Sequence, residues 1–72
     1  STTIRYTVPR ESRVAVDIFD LQGKRVVTLH DGVQEAGNKE LTWQPQGLAS
    51  GVYLLRVAAG AEVCSRKISL LK

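Results

Sequence analysis

The sequence is short of most residues that carry chemistry. It has one Cys, one His and no Met. A single Cys64 excludes an internal disulfide, and Cys64 and His30, 34 positions apart, match no recognised metal-ligand spacing. Acidic residues at alternate positions with a Gly, as a calcium loop requires, are missing from the Asp20 to Gly23 and Asp31 to Gly37 segments. There is no phosphate-cradling Gly-rich loop and no Gly-x-Ser-x-Gly elbow around Ser12, Ser50 or Ser65. Asp17 and Asp20 are three apart and fall on opposite faces of an extended chain, which excludes a paired-carboxylate site there. No apolar run approaches the about 20 residues of a membrane-spanning helix, and the opening residues carry no basic-then-apolar leader pattern. Two Pro and six Gly are too few for a disordered or collagen-like chain.

What remains is a small globular composition: 72 residues, 43% hydrophobic and 24% charged. One domain is the ceiling at this length, and an ordinary core of this size yields no more than about 3–5 kcal/mol. A neighbouring domain in a larger protein is the expected support. The net charge of +3 is concentrated late, because residues 37–72 hold five basic and two acidic side chains. Arg66, Lys67 and Lys72 close the chain with no acid among them. Such a strand either guards a sheet edge against aggregation or attracts an anionic surface or receptor.

Period-two alternation and turn residues organise the chain. Ile4, Tyr6 and Val8 define a first strand over residues 2–8, stopped by Pro9. Val14, Val16 and Ile18 define a second over 13–20, which leads into a tight turn at Asp20-Leu21-Gln22-Gly23 with Gly23 left-handed. Residues 25–30 form a third strand with a bulge or two-sided burial, because Val26, Val27 and Leu29 cannot share one flat face. His30, at its end, falls in the turn region beside Asp31 and is expected to be exposed, and Val33 to Gly37 in a polar loop. Leu41 and Trp43 mark a fourth strand ended by Pro45. A loop over 44–50 enters a fifth strand through Gly51, with Tyr53, Leu55 and Val57 on one face and Arg56 on the other. Ala59-Gly60-Ala61 then turns into a last strand over 62–71. The parity of Cys64 with Ile68 and Leu70 points its thiol to the core.

Six strands at this spacing, with no convincing helix, specify an all-β, immunoglobulin-like β-sandwich of six or seven mainly antiparallel strands. Tyr6, Trp43 and Tyr53 fall on apolar parities and fill the space between two sheets about 10 Å apart. That disposition opposes nucleic-acid binding despite a sequence pI near 9.4, since stacking needs exposed aromatics among the cations. It also leaves Phe19 as the one aromatic for a sugar platform.

Several segments in order resemble a known family. Ser1 to Pro9, Asp20 to Val26, the Gly37 loop leading to Trp43, Gly47 to Tyr53, and Arg66 to Lys72 are similar to C-terminal sorting domains of the type IX secretion system. These domains in turn resemble the immunoglobulin-like module of the flagellar hook-capping protein. The resemblance spans essentially the whole chain, although the family's Asn-Pro-rich lead before the first strand is absent. It implies a noncatalytic signal domain, residues 1–72, at the end of a larger exported protein, often a hydrolase. It further implies an upstream cargo domain as its covalent partner and the type IX machinery at the outer membrane as its receptor. The cargo would be carried to the cell surface or released, and no cofactor is implied.

Carried over by position, Gly51 and Tyr53 match the family's Gly-x-Tyr motif, and Lys67 and Lys72 match its terminal basic-apolar motif. Arg66 joins them as a recognition candidate on the same strand. Gly51 also has a structural role open to it as a turn residue, and Tyr53 one as a core aromatic whose hydroxyl reaches a turn backbone. An accessory carbohydrate-binding or protein-interaction module of an extracellular enzyme is the alternative function.

Overall fold

The structure, a computed structural model, describes residues 2–71. Its six strands are β1 (Thr2–Val8), β2 (Ser12–Phe19), β3 (Arg25–Gln34), β4 (Gly37–Trp43), β5 (Gly51–Ala59) and β6 (Glu62–Leu70), and no helix occurs among the described residues. They form a two-stranded sheet, β1-β4, and a four-stranded sheet in the order β3-β2-β5-β6. Every pairing is antiparallel. The chain crosses between sheets after β1, β3 and β4, so β5 returns beside β2 rather than beside β4. This is the expected immunoglobulin-like sandwich, six-stranded within the described residues.

Alternation explains the core. Ile4 and Val8 from β1, Val14, Val16 and Ile18 from β2, and Leu55 from β5 are essentially inaccessible, and Trp43, Tyr53 and Leu70 complete the cluster. The core residues of β1, β2 and β5 share one parity within each strand, because successive side chains point to opposite faces. The Asp20 turn forms as the sequence predicts. The Asp20 carboxylate accepts the Gln22 and Lys24 amides at 3.0 and 2.9 Å, and Gly23 donates to the Asp20 carbonyl at 3.1 Å with a φ of 88°. A side chain at Gly23 would meet open space, so backbone conformation alone selects glycine there.

β3 departs from expectation in length. It runs on through His30, Val33 and Gln34, which pair with Val16, Arg13 and Ser12 of β2. The predicted polar loop over 33–37 shrinks to Glu35 and Ala36, since a neighbouring strand supplies hydrogen-bond partners that sequence polarity does not reveal. The expected irregularity is present as register shifts between Val16 and Asp17 and between Ile18 and Phe19. They let Val26, Val27 and Leu29 all pack against the core. On the outer side of the sheet the buried Asp17 accepts a 2.7 Å hydrogen bond from the Thr28 hydroxyl, which offsets its desolvation.

Candidate functional site

Two separate stretches of sequence meet at one end of the four-stranded sheet. Gly51 opens β5 in register with Leu70, and Tyr53 is in register with Ile68, so the Gly-x-Tyr segment lies against the end of the final strand. Gly51 has a φ of 155° and nothing within 4 Å of where a Cβ would stand. Its requirement is conformational rather than steric. Gly51→Ala is expected to destabilise the fold by about 1–3 kcal/mol, the usual cost of holding a side-chain-bearing residue in such a region, read as a lower urea midpoint at unchanged slope. Tyr53 is buried, and its hydroxyl donates to the Ala49 carbonyl at 2.8 Å, tying the loop before β5 to the core. Both structural roles anticipated for these residues are therefore filled.

Arg66 and Lys67 adjoin in sequence but face opposite ways. Arg66, in register with Leu55, belongs to the inward row, and its Nη2 donates to the Arg5 carbonyl of β1 at 2.9 Å. That contact bridges the two sheets at their edges. Lys67, in register with Leu54, stands on the outer face. There the register aligns Arg25, Phe19, Leu54 and Lys67 across four strands, with Arg56 one row away. The basic end of the chain is thus divided between an inward cation and an outward cationic row around an apolar centre. The place of Arg5 and Arg25 could not be found from linear charge counting, because the contact of Arg5 with Arg66 and the alignment of Arg25 with Lys67 across the sheet exist only in the folded chain. Lys72 lies outside the described residues.

Two sequence expectations are corrected. Cys64 is exposed rather than in the core. Its parity is inward as expected, but the two-stranded sheet does not extend over the start of β6, where residues 62–67 are all exposed. A thiol reagent should accordingly modify Cys64 in the native chain at nearly the rate seen in denaturant, a comparison readily made with a chromogenic disulfide. His30 is in β3 and half-buried rather than in an exposed turn, with its Nε2 enclosed and without a hydrogen-bond partner.

His30, Val16, Val57 and Cys64 form one cross-sheet row, which puts the imidazole and the thiol three strand spacings, about 14 Å, apart. A Cys-His pair cannot form at that distance. Among the described residues no group of three or more His, Cys, Asp or Glu side chains could hold a metal ion. Trp43 and Tyr53 are buried, and Tyr6 is half-buried against the core with its hydroxyl on Gln34 rather than fully buried as expected. Half-buried Phe19 stands apart on the outer face of the larger sheet, so the described aromatics do not form a multi-aromatic sugar platform. No helix of the described residues is long and apolar enough to cross a membrane.

Comparison with known families places residues 1–70 in a match to the secretion system C-terminal sorting domain. No curated protein and no solved structure matches the chain.

Proposed function

Because this chain belongs to the secretion system C-terminal sorting domain family, whose members are signals for type IX secretion, we propose that it acts as a noncatalytic tag, residues 1–72, at the end of a larger exported protein. The family role takes its bearer to the cell surface or the extracellular space and implies contact with the type IX machinery and an upstream cargo. The observation that carries the noncatalytic reading is the distribution of reactive groups. The thiol and imidazole stand at opposite edges of one sheet, and the interior between the sheets is filled by apolar side chains.

Recognition is assigned to the end of the four-stranded sheet where Gly51 and Tyr53 shape the start of β5 and Arg66 and Lys67 supply positive charge, together with Lys72, which follows in the sequence. Gly51 and Tyr53 act by holding that surface in place, and the cations by contacting the receptor. Exposed cations at a sheet edge steer an anionic partner and contribute little packing of their own. Appending the 72 residues to two unrelated periplasmic proteins tests independence from the cargo. Both should leave a type IX-competent cell; export of one alone, with both folded, would assign the signal to the cargo instead.

A further inference from the structure

β6 is an edge strand. It pairs with β5 alone, and its residues 62–67 are all exposed. The direction of its unpaired flank follows from the hairpin before it. The Gly60 amide donates to the Arg13 carbonyl of β2 at 3.1 Å. Backbone groups alternate in direction along a strand, so the even-numbered residues of β5 face β2 and Leu55, Val57 and Ala59 face β6. Their register partners Arg66, Cys64 and Glu62 turn their own backbone groups back to β5. The N–H and C=O groups of Val63, Ser65 and Lys67 therefore point away from the sheet, where another strand can add.

Inward-pointing charges commonly protect such an edge from pairing. β6 carries two, and they are of opposite sign. Glu62, Cys64 and Arg66 share one face, with Glu62 and Arg66 equally spaced about Cys64 and about 13 Å apart along the strand. At that distance they cannot pair within one chain. Their register neighbours on β5 are Ala59 and Leu55, and neither charge has an ion pair among the described residues.

A second copy of the chain matches both charges at once. An antiparallel β6 related by a two-fold axis through Cys64 sets Glu62 opposite Arg66 of the second copy, and Arg66 opposite its Glu62. Opposed side chains in such a pair lie about 4.5–5.5 Å apart at Cβ, where unlike charges attract and like charges repel. Neighbouring registers fail this criterion. An axis through Val63 or Ser65 leaves both charges unmatched, one through Glu62 opposes two acids, and one through Arg66 or Lys67 opposes two cations. The axis through Cys64 also brings the outward backbone groups of Val63 against those of Ser65.

We infer that the edge of β6 binds a second copy of this chain, antiparallel about Cys64, so that two four-stranded sheets join into one. Arg66 has further donors beside the one held by the Arg5 carbonyl, so that bond persists in the pair. The ladder spans only Glu62 to Arg66, and so short an interface dissociates on dilution. The open reactivity of Cys64 belongs to the dilute chain. Self-pairing goes beyond the sorting role and does not depend on it.

Cys64, on the axis, reports the pairing. Directly opposed cysteines of an antiparallel pair fall within the Cα separation of a disulfide. Oxidised glutathione serves as oxidant: one Cys64 thiolate displaces a glutathione thiolate to give a mixed disulfide, and Cys64 of the second copy attacks its protein sulfur and releases the other. Two protein thiols are oxidised and one glutathione disulfide is reduced to two thiols.

Glu62→Arg sets cation against cation and Arg66→Glu sets acid against acid, and each should slow disulfide dimer formation about tenfold or more. The doubly exchanged chain, Glu62→Arg with Arg66→Glu, keeps the net charge and restores the complementary pattern, and it should regain the parental rate. In the reduced chain the Val63 and Ser65 amides should exchange severalfold more slowly at high than at low concentration, with the β1 amides unchanged. Should Arg66→Glu fail to fold, Glu62→Arg and the amide exchange carry the test. Equal dimer rates in the parent and the folded single variants, no recovery in a folded doubly exchanged chain, or Val63 and Ser65 exchange independent of concentration would each overturn the inference.

Discussion

Ile18→Ala is expected to leave the chain without a stable fold at 37 °C, seen as loss of the cooperative urea transition. Ile18 is completely inaccessible near the C-terminal end of β2, flanked by Val27 of β3 and Leu55 of β5 in register. Truncating such a side chain removes its transfer free energy and leaves a cavity, together about 2–5 kcal/mol. A core of this size supplies only about 3–5 kcal/mol in total, with no disulfide to supplement it. Leu55→Ala, at an equally buried position, should behave alike. An Ile18→Ala chain with a sharp transition near that of the parent would show that the described sandwich is not the main source of stability.

The second large effect concerns export with the fold retained. Reversing two charges together, Arg66→Glu with Lys67→Glu, should lower export of an attached reporter about tenfold or more, the consequence of placing like charges against a receptor surface suited to cations. Both side chains are exposed and the bond that is lost, from Arg66 to the Arg5 carbonyl, is itself exposed, so the fold should lose only about 1 kcal/mol and stay cooperative. Deleting the strand end would not make the same point. Leu70 is 3% exposed and Ile68 packs against the core, so removing residues 66–72 strips the sandwich as well as the charge. Unaltered export by the folded charge-reversed chain would remove Arg66 and Lys67 from recognition.

The strands and most of the core were legible because alternation survives in linear sequence. Ile4 and Val8, or Val14, Val16 and Ile18, reveal their shared face without any knowledge of what covers it. The same fact explains the error at Cys64. Parity determines the direction of a side chain, whereas burial depends on how far the opposite sheet reaches, and here two strands cover four. β3 was underestimated for a related reason, since Val33 and Gln34 are held by pairing to Arg13 and Ser12 rather than by their own apolarity.

The candidate site was half legible. Gly51 and Tyr53 stood out as a turn glycine and a patterned aromatic, and the structure gives each a physical task. Arg66 and Lys67 were visible as charge, but their division between an inward contact to Arg5 and an outward row with Arg25 and Phe19 follows from register alone.

The central claim is that this chain is a type IX sorting signal, and one measurement tests it most directly. A folded periplasmic reporter is expressed with and without the 72 residues at its C-terminus, in a type IX-competent strain and in one lacking the outer-membrane machinery, and reporter activity outside the outer membrane is compared. Export should require both the appended chain and the machinery. Retention of the folded fusion in the competent strain, or equal export when the machinery is missing, would contradict it.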